Sequence, residues 1–335
     1  MKRALHIYAV NGKTNSGDFF LGPSTKWEFE NIVGEEIRWY NFDVRRAVNH
    51  ADVKYFNDFD YVVIGGGGLF LPDTNPNKTS CWQWACRSDF IEQIKAKIYV
   101  VGIGWNHFYG QDITMPNRGN SFSDPDRLRI FKNNVETLVR KSTSFTMRHQ
   151  GDCDRLKKII DTELHDKVQF EFCPVVGYIK DKFSKDFTSG EYMTFEIKDD
   201  RPNRRYIGKK RDEFYAELHE YIKHLISEGE KIAVMSHDGS MSFVAYLRDV
   251  GVPFLFLNNT VANQEAIIQN YSKVKKLFCT AGHSQMTAHA LSLEYYSLIN
   301  HDKLKYFLED NNVFTNENYC LINEENINEK YNDIK

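Results

Sequence analysis

Apolar residues along the chain fall into short, nearly unbroken runs separated by longer amphipathic stretches. Residues 4–10 (ALHIYAV), 59–70 (FDYVVIGGGGLF), 97–106 (KIYVVGIGWN) and 143–148 (TSFTMR) read as buried β-strands, two of them breaking into glycines. VQFEFCPVV at 168–176 reads as the last strand of this first series. Between the strands, 81–96 carries a helical apolar spacing, and Leu128, Phe131, Val135 and Leu138 recur at helical intervals within 125–140. Residues 151–160 restart a helix, with Asp152 or Asp154 as its cap.

A polar, pattern-poor stretch at 179–192 reads as a hinge, and a second series follows. Strands at 193–197, 232–236, 252–258 and 275–279 alternate with helices at 214–227, 241–250 and 263–272, while 199–213 is a long basic loop. No short internal repeat is visible. Strands that are apolar throughout must be covered on both faces, and their alternation with helices predicts parallel sheets of the α/β class. The simplest architecture is two doubly wound halves facing a cleft, one over 1–178 and one over 190–310, with a polar tail at 311–335. Ligands of such sheets bind beyond the carboxyl ends of the strands.

Length and composition agree with two globular domains: 335 residues, 41% hydrophobic, with 24 Phe and 18 Tyr supplying much of the apolar area. A net charge of -3 offers no overall attraction to nucleic acid, so no nucleic-acid partner is expected. No run approaches the length of a membrane span, and the opening apolar stretch lacks a small-residue cleavage site, which predicts a cytoplasmic protein. The six cysteines form no CxxC pair; Cys81 and Cys86 have no second cluster to complete a metal site, so no metal is expected.

The candidate chemistry lies at the strand ends. Asn15, Gly17 and Asp18 follow the first strand, where they read either as an Asx turn with a helix cap or as acceptors for a sugar hydroxyl or proton. Gly66, Gly67 and Gly68 match no dinucleotide or phosphate-loop pattern; they serve either a ligand-facing turn or close strand–helix packing. Arg148 ends a strand, where its guanidinium either suits a phosphate or carboxylate through two parallel hydrogen bonds or forms a surface salt bridge. In the second half, His237 and Asp238 follow one strand, and Gly282, His283, Ser284 and Gln285 open the helix after another. A helix start can hold an anion, and a histidine there can move a proton. His289, further along that helix, reads as packing.

Taken in order, these segments resemble the polysaccharide pyruvyl transferase family: NSGD at 15–18, VVIGGGGLF at 62–70, IYVVGIG at 98–104, FTMRHQGDCDRL at 145–156, the stretch 263–293, and HDKLKYFLED at 301–310 with Asp302 and Lys303. One departure stands out: where the family carries Gly-Arg-x-His, this chain has Gly282-His283-Ser284-Gln285. The resemblance implies two Rossmann-like halves of GT-B type, the first for the acceptor and the second for the donor. It further implies transfer of the enolpyruvyl skeleton of phosphoenolpyruvate onto a sugar as a ketal, without a cofactor. The partners it implies are phosphoenolpyruvate and a glycan or lipid-linked sugar of a bacterial surface polysaccharide, a lipid carrier bringing only peripheral membrane contact.

In that chemistry His283 is the expected acid and Asp18 the group that orients or deprotonates an acceptor hydroxyl. Arg148, Gly282, Ser284, Gln285 and Lys303 are expected to hold the donor, with Asn15, Gly17, Gly66, Gly67, Gly68, His237 and Asp238 toward the acceptor or the cleft. The alternatives are a nucleotide-sugar glycosyltransferase and a diverged glycan-binding protein without catalysis.

Overall fold

The computed structural model describes residues 1–10, 15–71, 75, 77–110, 125–261 and 263–330; the loop expected at 11–14 and the end of the tail at 331–335 lie outside the described residues. They form two compact units. The first unit comprises the described residues of Met1–Gly12, Leu21–His107 and Gln111–Pro174, and the second those of Lys13–Phe20, Phe108–Gly110 and Val175–Lys335.

The first unit alternates β1 (Lys2–Tyr8), α1 (Ser16–Val33, its first turn grouped with the second unit), β2 (Ile37–Asp43), α2 (His50–Phe56), β3 (Tyr61–Phe70), α3 (Ser88–Gln93), β4 (Lys97–Trp105), α4 (Pro125–Lys141), β5 (Ser142–Met147), α5 (Gln150–Lys157) and β6 (Val168–Phe170). Its six strands are parallel in the order β2-β1-β3-β4-β5-β6, so the direction of winding reverses between β1 and β3. One face of the sheet packs Val62, Ile64, Val100 and Ile103 against Phe131, Val135 and Leu138 of α4, the stripe read from the sequence. The other packs Ala4, Val63 and Val101 against Phe29 of α1. Cover on both faces accounts for the unbroken apolar runs.

The two glycine-bearing strands do not break at their glycines. β3 runs through Gly65, Gly66, Gly67 and Gly68 to Phe70, and β4 through Gly102 and Gly104 to Trp105, paired in parallel with one irregularity after Gly67. A Cβ on Gly65 would overlap the carbonyl oxygen of Val101 on β4, and one on Gly66 would lie 2.6 Å from Thr25 Oγ1 on α1. Close packing of strand on strand and helix on strand therefore explains these two positions. The α5 cap is His149, without a side-chain bond, and Asp152 is buried inside the first turn, so neither aspartate caps the helix. Residues 174–183, read as strand and hinge, are helical instead, since Pro174 pre-sets the helical φ at a first position.

The second unit continues with α6 (Pro174–Phe183), β7 (Tyr192–Glu196), α7 (Pro202–Arg205), α8 (Arg211–Ser227), β8 (Lys231–Ser236), α9 (Ser242–Asp249), β9 (Leu255–Asn258), α10 (Gln264–Tyr271), β10 (Val274–Cys279), α11 (Gly282–Ala290), β11 (Glu294–Ile299), α12 (Asp302–Asp310) and β12 (Tyr319–Leu321). All six strands are parallel in the order β12-β11-β10-β7-β8-β9, with the reversal between β7 and β10. The helical turn α7 interrupts the basic stretch read as pure loop, and β11 and β12 extend the sheet beyond the strands read from the sequence. The polar residues after Asn311 thus supply an edge strand. No described helix is long and apolar enough to cross a membrane, and all six cysteines are buried free thiols.

His6, fully buried in β1, makes the first unit sensitive to acid. Its Nε2 lies 2.9 Å from the Gly65 carbonyl oxygen and its ring stacks on Tyr8 at 4.1 Å. Burial pushes its pKa down to about 3, the Gly65 bond opposing and the Lys26 charge adding. The unfolded chain takes up a proton below about pH 6.5 that the folded unit refuses, so this stabilisation is complete above that pH. It is lost as the pH falls toward 3, at about 1.4 kcal/mol per unit. All five tryptophans, at 27, 39, 82, 84 and 105, lie in the first unit, so intrinsic fluorescence isolates it. Melting followed by fluorescence is expected to fall more steeply from about pH 6 to about pH 4 in the wild type than in His6→Gln. Parallel curves would remove His6 from the account.

Candidate functional site

In open parallel sheets, ligands gather at the carboxyl ends of the strands where the winding reverses. In the second unit that place is the end of β7 together with the turn from β10 into α11. Glu196 ends β7, Lys198 and Asp200 follow it, and Gly282 to Gln285 open α11.

His237, just beyond β8, ties three segments together. Its Nδ1 lies 2.9 Å from Ser16 Oγ at the start of α1 and 3.0 Å from Ser284 Oγ in α11, while its carbonyl oxygen accepts Ser16 N–H at 2.8 Å. Burial, assisted by the Lys198 and Lys303 charges, pushes its pKa well down, so a neutral imidazole holds the two hydroxyls. Ser16 escaped the sequence reading, although it stands inside the Asn15–Asp18 element.

Asn15 Oδ1 accepts Gly17 N–H at 3.0 Å, the Asx turn that was one of the two readings for this loop. Gly17 is in turn required by His283: a Cβ there would lie 2.7 Å from the His283 Cβ and overlap the ring. Asp18 stands one residue further along the same helical turn. The Lys303 stem covers Gly282, its Cδ and Cε each 3.0 Å from where a Cβ would be. Gln285 is fully buried and its Nε2 donates to Leu304 O at 3.3 Å, which anchors α11 to α12. His289 packs as expected, its ring 5.2 Å from Phe307.

Charges that the sequence reading did not bring together complete this site. Lys198 Nζ pairs with Asp238 Oδ2 at 3.1 Å and reaches Asp200 Oδ1 at 3.7 Å, while its N–H donates to Thr280 Oγ1 at 2.7 Å. Burial raises Asp238, but Lys198 and the Ser240 N–H outweigh it and hold the carboxyl low. Asp200 is likewise raised by burial and drawn well below the usual carboxylate range by Arg205, Lys198 and Arg201. Arg205 is buried, grips Asp200 with two of its nitrogens and donates to Asn300 Oδ1 at 3.0 Å. Its guanidinium and that of Arg201 lie over the Phe108 ring, at 5.2 and 4.6 Å. The available signal was a charged residue at the carboxyl end of an apolar strand, present in FEIKDD.

In the first unit, Arg148 follows β5 and is 2% exposed. Its guanidinium lies over two glycines. A Cβ on Gly104 would come within 2.8 Å of Arg148 Cζ, and one on Gly68 within 3.4 Å of Nη2. Gly66 and Gly67 face Thr25 and Leu21 of α1 instead, so of the glycines singled out only Gly68 adjoins the guanidinium. Burial raises the Asp152 carboxyl, and His149 and Arg148 draw it back.

Two parallel, doubly wound α/β units with ligand-type side chains at the ends of their strands define a GT-B-like protein. The chain belongs to the polysaccharide pyruvyl transferase family, a family of transferases, whose model matches residues 15–260. That match includes Asn15, Asp18, Arg148 and His237 and ends before α11.

Solved structures with the same fold include Staphylococcus aureus MnaA with UDP, at 9% identity and a TM-score of 0.53 over 100% of this chain and 88% of that one. Neisseria meningitidis UDP-GlcNAc 2-epimerase bound to UDP-GlcNAc is similar at 10% identity and a TM-score of 0.51, over 99% and 91%. An α-glucosyltransferase in complex with UDP and DNA follows at 11% and 0.50, over 89% and 79%. At such identities the likeness is one of fold. No curated protein sequence matches the chain.

Proposed function

We propose that this transferase moves the enolpyruvyl skeleton of phosphoenolpyruvate onto a sugar of a bacterial surface polysaccharide and closes it as a ketal across two hydroxyls. Beyond the family, one observation carries the reading: at the start of α11, His283 meets Gly17 of the Asn15–Asp18 turn and Lys303 covers Gly282. A helix start with a lysine stem over its first residue suits an anion, and the imidazole beside it suits proton transfer.

The reaction requires four bond changes. A proton from an acid, here His283, is added to the methylene carbon, and a sugar hydroxyl attacks the resulting cationic carbon. Phosphate leaves with the proton of the first hydroxyl, handed on by Asp18, and a second hydroxyl closes the ring as its proton returns to His283. Asp18 takes the proton of an attacking hydroxyl, the α11 amides and Lys303 hold phosphate, and Arg148 serves a carboxylate or phosphate in the first unit. His237 and Ser284 fix the turn, and the sequence needs no cofactor.

Incubation with phosphoenolpyruvate and a panel of sugars is expected to release phosphate and add the mass of a pyruvate ketal to an acceptor. Neither change with any acceptor would sink the donor assignment. Stabilisation by UDP but not by phosphoenolpyruvate in thermal-shift assays would replace it with nucleotide-sugar transfer.

A further inference from the structure

Glu196 ends β7 and is fully buried, yet nothing in the reaction above uses it. Its carbonyl oxygen accepts Thr280 N–H at 3.0 Å and its Oε2 accepts Ala281 N–H at 3.1 Å. Oε1 has no hydrogen-bond partner among the described residues. With Thr280 Oγ1, which also donates to the Glu196 carbonyl oxygen at 3.4 Å, three bonds join the last residue of β7 to the two residues that precede α11, across the reversal in strand order. An ionised carboxylate at this position would be desolvated and would compete with a substrate anion for the field of the helix start.

Five side chains face the group: Lys198 beyond β7, Arg205 from α7, Asp238 beyond β8, Tyr271 of α10 and Cys279 of β10. Burial raises both Tyr271 and Cys279 and leaves them neutral. Burial first, and Asp238 next, push the Glu196 carboxyl up to about 8 against Lys198, Arg205 and the Ala281 N–H. It holds its proton at neutral pH.

We propose that Glu196 is a positioning residue for an anion site at the start of α11: as a neutral acid it ties Ala281 to β7 without adding negative charge, and its ionisation in alkaline solution weakens anion binding there. The second clause rests on the reading that this turn holds the donor phosphate. The first stands on the buried clamp itself.

Two measurements on the full chain separate them. In the first, inorganic phosphate is titrated calorimetrically at about pH 6.5 and about pH 9.5. The wild type is expected to lose roughly tenfold in affinity across that interval, and Glu196→Gln less than about twofold. The variant sees the same change in the phosphate's own charge and so corrects for it. Glu196→Ala, which leaves the Ala281 N–H without its acceptor, is expected to bind about tenfold more weakly at both values. An equal alkaline fall in the wild type and the glutamine variant overturns the anion clause, as does an absence of phosphate binding in both.

The second measurement is stability against pH. The folded chain keeps a proton that the unfolded chain releases above about pH 4.3, so the stabilisation present in acid is lost as the pH rises toward 8. By calorimetry, the wild type is expected to lose melting temperature relative to Glu196→Gln between about pH 5 and about pH 8. Parallel curves overturn the neutral acid whatever phosphate does.

Discussion

Arg148→Ala is expected to lower kcat/KM for pyruvyl transfer by about a thousandfold, the loss typical of a preorganised donor aimed at developing charge. Arg148 is 2% exposed, and its Nε makes no hydrogen bond among the described residues. A buried guanidinium with a donor to spare, laid over Gly68 and Gly104, is arranged for a ligand more than for solvent. Arg148→Lys keeps the charge and loses the fork geometry, so it is expected to recover only part of the activity.

Gly104→Ala tests the same idea with the arginine intact, because the added Cβ would displace the guanidinium. Deleting Arg148 also removes one of the charges that draw the buried Asp152 carboxyl back down, so the first unit is expected to melt lower. Tryptophan fluorescence distinguishes the two effects, since every tryptophan is in that unit. A folded Gly104→Ala and a folded Arg148→Ala with near wild-type kinetics would remove Arg148 from catalysis.

The second large effect belongs to His283. Its replacement by alanine is expected to lower kcat by about a thousandfold, within the range for loss of a positioned acid, with a smaller change in the KM for phosphoenolpyruvate. Gly17→Ala is a test that keeps the imidazole. Alanine favours a helix by about 1 kcal/mol over glycine, but here its Cβ would overlap the His283 ring. Lost turnover with an unchanged melting temperature is therefore the expected result. Full activity in His283→Ala would assign proton transfer to another group and make the turn a binding element alone.

Much of the framework was legible in the chain. The apolar runs that became β1, β3 and β4 show no alternation because their sheet is covered on both faces, and α4 buries the stripe its spacing predicts. The Asx turn at Asn15 is local chemistry, with donor and acceptor two residues apart. The second sheet was read short. β12 is three residues long in an Asn-rich stretch, and a strand of that length becomes one only when β11 supplies the ladder. The glycines of β3 misled in the other direction, because a strand end and a close approach within a strand call for the same residue.

By itself the sequence determined the class of fold, the family, and which loops carry polar side chains at strand ends. Tertiary structure decided which of those side chains meet. Lys198 finds Asp238, Glu196 finds Ala281 and Ser16 finds His237 across separations of 40, 85 and 221 residues. Periodicity reports only the face on which a residue lies; the order of strands in the sheet sets its distant neighbours. The protonation of Glu196 and His237 belongs to the folded state for the same reason, since burial is the largest cause of both shifts and exists only once the second unit has folded around them.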